Sequence, residues 1–284
     1  MLATQSGQLE KVLKGGIFDI SNELYHAGPG ISRSGIVEFK KSPKHYWHRY
    51  INPYRQPKET TAEMAFGTMF HMYVLEPELF DNHYYVSVKC PHHGSSNLAK
   101  EYKKAEEKKA AGRAIILDTE LALIKEMTNG LFDHPKAFSL ITGAQYEKSI
   151  YWIDKESGLL CKARPDILNM QGKFVVDLKT TRDASKRKFS YDFKDGGNYI
   201  QSAMIREGIK EVTGETIESF VNLAVEKVEP FCAAHYPVNN LYVDLGEQEF
   251  KHYLLEIKKC MEANEWPSYP DDEINIPQNM IQDW

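Results

Sequence analysis

Two carboxylates and an ammonium group fall within one short stretch of the chain. Asp166 follows Pro165, and Asp177-Leu178-Lys179 closes a run of β-branched residues shortly after it. Side chains alternate along a strand, so Asp177 and Lys179 share one face and Leu178 takes the other. Two acids held close together repel, and a divalent cation between them removes that cost. Oxygen ligands of this kind suit hard ions such as Mg2+, with Mn2+ a second choice. Such an ion lowers the pKa of water and clamps phosphate oxygens. A lysine beside it orients an attacking water or stabilises charge on a phosphate. The chemistry implied is metal-assisted cleavage of a phosphodiester. The same letters also occur on surface hairpins with solvated charges, so the surrounding elements decide between the two readings.

Those elements read as strands joined by turns. Ser149–Ile153 and Leu159–Arg164 flank the turn 154–158, and a second turn, 169–173, leads into Phe174–Lys179. Aromatic and β-branched runs bounded by Gly, Asn and Asp are hairpin signals. Folding back at the second turn brings Asp166 beside Asp177. Upstream, Thr60-Thr61-Ala62-Glu63 opens a helix that Pro77 ends, and inside it lie Gly67 and His71. Four residues apart, they share a helix face. A glycine there lets another backbone or a phosphate approach closely; a packed core histidine is the plainer alternative. Glu147 enters the first core strand and is a weak further acid. Arg164 is placed to pair with a site acid or to hold a phosphate. Thr180, Thr181 and Arg182 lie at the mouth of the proposed site, where hydroxyls and basic groups meet phosphate. Arg33 is a weaker DNA-contact candidate, with Lys40, Lys41, Lys44, His45, His48 and Arg49 along the same N-terminal helices. Those helices start at Ser32 and at Ser42-Pro43, by their capping residues.

Taken together, Cys161-Lys162-Ala163-Arg164-Pro165-Asp166 and Val176-Asp177-Leu178-Lys179-Thr180-Thr181 resemble the PD-(D/E)XK nuclease superfamily. Within it they look most like the RecE-type (exonuclease VIII) branch of phage and prophage recombination. Gly67-Thr68…His71…Leu75-Glu76-Pro77-Glu78 matches that branch, as does Gln201 in its Gln-x-x-x-Tyr motif. Ile205 stands where the tyrosine is expected, and Tyr199 is the nearby substitute to consider. The resemblance runs from about Ile17 to about Pro270. It implies an α/β fold with a restriction-endonuclease-like core, a central mixed sheet flanked by helices. It implies His71, Asp166, Asp177 and the Leu178 carbonyl as metal ligands, and Lys179 as the residue that positions the nucleophilic water. The activity implied is degradation of linear double-stranded DNA from 5′ to 3′, leaving 3′ overhangs for a single-strand annealing protein. A ring-shaped homo-oligomer, a tetramer for instance, belongs to the same expectation. A structure-specific or single-strand nuclease of the RecB-like branch is the alternative enzyme. A catalytically inert DNA-binding module is the non-enzymatic one, although Asp166, Asp177 and Lys179 are all present.

Composition limits these readings. With 284 residues and 42% hydrophobic content the chain can bury a sizeable core. Residues 1–16 read as a flexible lead-in, and 17–284 as a single nuclease domain with an N-terminal helical elaboration. The formal net charge is −5, whereas duplex binders are often basic. Positive charge must therefore be local, and affinity salt-dependent. Cys90, Cys161, Cys232 and Cys260 form no C-x-x-C pair, which argues against zinc and against the iron–sulfur cluster of some RecB-type nucleases. No segment has the length and apolarity of a membrane span and no signal peptide is evident, so a cytoplasmic protein is expected. Elsewhere the patterns predict a turn over 25–30, a strand-and-turn region over 79–93, and a helix over 118–129 capped by Asp118 or Thr119 with Gly130 near its end. They also predict a helix from Asn198, strands over 220–227 and 232–238, and a helix over 244–263 that buries Leu254, Leu255, Ile257 and Met261.

Overall fold

The computed structural model of the chain describes residues 10–56 and 59–271. The first nine residues of the expected lead-in, Pro57-Lys58 of the connector and the end of the tail from 272 lie outside them. Val12, inside the stretch read as a lead-in, is buried against Tyr25 and Tyr151.

The centre is a five-stranded mixed sheet. Its order is β10 (Ala233–Pro237), β9 (Ser219–Glu226), β8 (Phe174–Thr181), β7 (Ile167–Asn169) and β4 (Gln145–Tyr146). β8 and β9 pair parallel; the other neighbours are antiparallel. A parallel pair needs a crossover. Here it is α9 (Lys186–Asp195) followed by α10 (Asn198–Thr213). A separate three-stranded sheet holds β1 (Gly16–Phe18), β5 (Ser149–Ile153) and β6 (Leu160–Ala163). The two hairpins read from sequence thus belong to different sheets. Pro165 lacks an N–H and cannot extend β6, so the chain turns there and Asp166 sits at the corner. A short parallel pair, β2 (Tyr84–Ser87) and β3 (Ala114–Leu117), completes the strands described.

Alternation along β8 and β9 divides the interior in two. Val175, Phe220 and Ala224 join the core built with α10, α2 (Arg33–Lys41) and α11 (Asn240–Ala263). Val176, Leu178, Val221, Leu223 and Val225 join the core built with α4 (Ala62–Leu75) and α7 (Asp118–Phe132). Asp177 and Lys179 share the parity of Val175 and so face α10. The mixed sheet flanked by helices is the fold class expected.

Several boundaries differ from the sequence reading. The first half of the expected turn over 25–30 is instead helical, the end of α1 (Asn22–Ala27), which the Ser21 hydroxyl caps by accepting from Leu24 N. The segment after Pro77 is helical through His83 (α5, Pro77–His83) before β2 begins, with Pro77 in the first turn. α7 is held at its start by Glu120, whose carboxylate accepts from Leu117 N at 2.8 Å, rather than by Asp118 or Thr119. It runs past Gly130, where an added Cβ would collide with the Phe231 carbonyl. α11 starts earlier than expected, capped by Asn239, and Met261 on it is exposed, not buried. The remaining helices are α3 (Pro43–Tyr46), capped by Ser42, α6 (Asn97–Ala110) and α8 (Ala137–Ile141).

Candidate active site

β7 begins at Ile167, opposite Val176, so Leu178 lies beyond the end of that pairing. Its amide donates instead to Asp166 Oδ2 at 2.7 Å. The Leu178 carbonyl leaves the same edge of the strand. This one bond locks Asp166 against β8 between the two site residues of that strand. From α4, His71 Nδ1 comes to 3.6 Å from Asp166 Oδ1 and 3.8 Å from Glu147 Oε1. Glu147 occupies a corner after β4. Its amide donates to the Asp166 carbonyl at 3.0 Å, and its φ is +51°. A non-glycine residue in that region is strained, and such strain concentrates at functional sites. Arg164 fixes the carboxylate, its Nε donating to Glu147 Oε2 at 2.8 Å.

Asp177 lies behind this group. Its Oδ1 accepts from Lys179 Nζ at 2.7 Å and from Gln201 Nε2 at 3.2 Å. Its Oδ2 is buried without a partner. Gln201 is in turn oriented by Arg33: the guanidinium donates to Gly196 O at 2.8 Å and to Gln201 Oε1 at 3.4 Å.

The charges are strongly coupled. Burial raises the Asp166 carboxyl to about 6, with the like charges of Asp177 and Glu147 adding to it and those of His71 and Lys179 opposing. Burial alone would lower His71, yet the nearby carboxylates of Asp166 and Glu147 hold the imidazole above its usual value. Burial likewise opposes the Lys179 ammonium, and Asp177 and Asp166 hold it above the usual range. Glu147 is desolvated, but His71 and Arg164 draw it below the ordinary carboxylate value.

The donor set fits a divalent ion. One ligand atom each from His71, Glu147 and Asp166 lies within 4.8 Å of the others. Ligands at ~2.1 Å from Mg2+ stand up to about 4.2 Å apart, so slight closure suffices. Asp177, expected as a ligand, is not part of this cluster: Lys179 and Gln201 hold its Oδ1, and it lines a separate small hollow. The acids and the imidazole match a hard-to-borderline ion.

Of the sequence candidates, His71, Glu147, Asp166, Lys179, Gln201, Arg33 and Arg164 all line one open cleft. Glu147, a weak candidate by sequence, sits inside the ligand cluster. Arg164 and Arg33 are taken up by Glu147 and Gln201, so their first role is positioning. Thr180 and Thr181 end β8 and Arg182 follows it, and none of the three is among the described residues lining the cleft. His48 and Arg49 line it too, whereas Lys40 pairs with Glu249, Lys41 with Glu38, and His45 with Ser42. Tyr199 does not stand in for the missing tyrosine. Its hydroxyl donates to Glu249 at 2.8 Å and meets Lys40 Nζ at 3.1 Å. Ile205 lines a small internal hollow with Asp177 and Asn222. Asn222 went unnoticed in the sequence. It is the register partner of Asp177 on β9, and its Oδ1 is buried without a partner. A lone amide in the apolar run Phe220–Val225 was the available signal.

Comparisons with known proteins bear on the fold. A crystal structure described as a "Putative exonuclease" from Eubacterium rectale aligns at TM-score 0.56 and 16% identity, covering 90% of this chain and 97% of that one. A second, SSO0001, aligns at TM-score 0.27 and 19% identity over 65% of this chain and 85% of that one, and carries no argument. No curated protein matches the sequence. Residues 32–275 match the family model described as "PDDEXK-like domain of unknown function (DUF3799)". With most of its length inside that match, the chain belongs to the PDDEXK-like domain family.

Proposed function

We propose that the chain is a divalent-metal-dependent DNA nuclease. The observation that carries this is the convergence of His71, Glu147 and Asp166 on one point, with Lys179 in the same cleft and paired to Asp177. His71, Glu147 and Asp166 are the residues that would hold the ion, with the Leu178 carbonyl available at the same strand edge. The bound ion supplies Lewis-acid stabilisation of charge on the phosphate. The chain's own groups do the rest. Lys179, kept cationic by Asp177, donates a hydrogen bond to the attacking water or to a phosphate oxygen. Gln201 holds the Asp177 carboxylate in place, and Arg33 fixes the orientation of the Gln201 amide. Arg164 keeps Glu147 turned toward His71.

In finer terms, the enzyme is a RecE-type exonuclease that degrades linear duplex DNA 5′ to 3′ and leaves 3′ overhangs for an annealing partner in recombination. It works in the cytoplasm as a ring-shaped homo-oligomer with Mg2+, and the imidazole ligand lets Mn2+ replace it. The Gly-Thr…His helix, the Pro-Asp corner, Asp-Leu-Lys-Thr-Thr and Gln201, in that order, support the branch assignment. The fold neighbour described as an exonuclease supports the mode.

The test is digestion of linear duplex labelled at its 5′ or 3′ ends, beside closed circular DNA, with Mg2+. The expected result is loss of the 5′ label first, circles spared, and activity abolished in Asp177→Ala and Lys179→Ala with folding intact. Full activity in both variants would refute the nuclease assignment. Cleaved circles would refute the exonuclease mode alone.

A further inference from the structure

The cleft that holds the acid cluster continues along one face of α4. Met64, Thr68, His71 and Met72 line it, and at 1.5 Å per residue that face spans about 12 Å. The ligand cluster is at one end. The other end lies where the chain enters α4 from the segment after α3. That segment abandons regular helix geometry for a π-type turn, Trp47–Ile51, a rare irregularity that recurs at functional sites. Arg49 and Tyr50 of this turn line the cleft, with the Arg49 guanidinium 5.7 Å from the Tyr50 ring centre.

Tyr54 comes next, on a pinned backbone. Asn52 Oδ1 accepts from Tyr54 N at 2.9 Å. The Asn52 carbonyl accepts from Arg55 N at 3.1 Å and from the Arg55 guanidinium at 3.3 Å. Yet Tyr54 is 86% exposed on the cleft wall, more open than any other large hydrophobic residue described. An uncovered ring on a hydrogen-bonded backbone, with Arg49 and Arg55 lining the same cleft, is suited to a flat apolar partner attached to an anion. An unpaired nucleotide is such a partner: its base offers a free face and its phosphate a charge. A base stacked inside a duplex has both faces covered by its neighbours.

We propose that Tyr54, with Arg49, Tyr50 and Arg55 lining the same cleft, is a stacking platform for an unpaired DNA base a few nucleotides from the scissile phosphate. DNA therefore reaches the acid cluster as a separated single strand. The inference rests on reading the cleft as the path of DNA.

Fluorescence anisotropy in EDTA, where no cleavage occurs, tests it with labelled oligothymidylate and a strand of equal length carrying abasic residues. The wild type is expected to bind oligothymidylate about tenfold tighter than the abasic strand. Tyr54→Ala should lose that preference, and Tyr54→Phe, which keeps the ring, should retain it. The platform is overturned if Tyr54→Ala keeps the full preference, or if the wild type binds both strands equally or neither. Cleavage is measured separately. Activity without a base preference would overturn the platform alone. A Tyr54-dependent preference in a protein that no metal activates would overturn the nuclease reading and leave the platform standing.

Discussion

Asp166→Asn should make the metal-free protein more stable while removing its function. The buried Asp166 carboxyl is raised from its ordinary 3.8 to about 6. Its charged form is therefore disfavoured in the fold, and the difference corresponds to ~3 kcal/mol. The sign follows from proton counting. Between pH 3.8 and about 6 the unfolded chain has lost this proton while the folded chain retains it. Stability falls as pH rises through that window, and the full penalty is present above it. His71, raised above its usual value, acts in the same direction at higher pH. An asparagine removes the charge, and its amide oxygen can still accept from Leu178 N. In EDTA at pH 8 the variant should gain up to ~3 kcal/mol, a Tm increase of about 5 °C for a chain of this size. At pH 4 the two proteins should melt together. With Mg2+ the gap should nearly close: an ion held at a hundred times its Kd stabilises the wild type by about 2.7 kcal/mol, and the variant should gain little. Thermal melts across pH 4–8, with EDTA and with Mg2+, read all of this. If Asp166→Asn melts lower than the wild type in EDTA at pH 8, the strained-acid argument is wrong.

Other outcomes follow from single contacts. Gly67→Ala should raise stability by about 0.5–1 kcal/mol, because a Cβ there meets only Thr180 Oγ1 at 4.0 Å; lost cleavage in a stabler variant would mean that phosphate passes over this spot. Arg33→Ala should slow cleavage about fivefold by freeing the Gln201 amide, the worth of roughly one hydrogen bond, without changing the salt dependence of DNA affinity. A salt slope reduced by about one would make Arg33 a phosphate ligand instead. Asp154 is fully enclosed, paired with Lys251 and accepting from Ser157 N at 2.8 Å, so Asp154→Ala should cost ~3–5 kcal/mol in denaturant titrations at pH 7. Burial would raise this acid, but Lys251 and Ser157 hold it below 3.8. Its contribution is present above that value and lost as pH falls through its folded pKa, so acid unfolding should be shallower in the variant.

What could be read from the sequence was local. Strand parity put Asp177 and Lys179 on one face, helix spacing set Gly67 over His71, and Pro165 marked the corner that carries Asp166. What could not be read depends on partners far along the chain. Glu147 enters the ligand cluster because its amide binds the Asp166 carbonyl and its backbone takes a left-handed corner, neither of which has a sequence signature. Asn222 stands beside Asp177 only through the parallel register of β8 and β9. Tyr199 points away because Glu249, on a distant helix, captures its hydroxyl. The α1 helix was legible in principle, since Ser21 is a capping residue, but the Gly and Pro that follow it dominated the reading.

Anomalous diffraction from crystals soaked in Mn2+ asks whether these residues grip an ion. The expected result is a single strong peak bounded by His71, Asp166 and Glu147, lost in Asp166→Asn. A peak elsewhere, or an unchanged peak in that variant, would contradict the account.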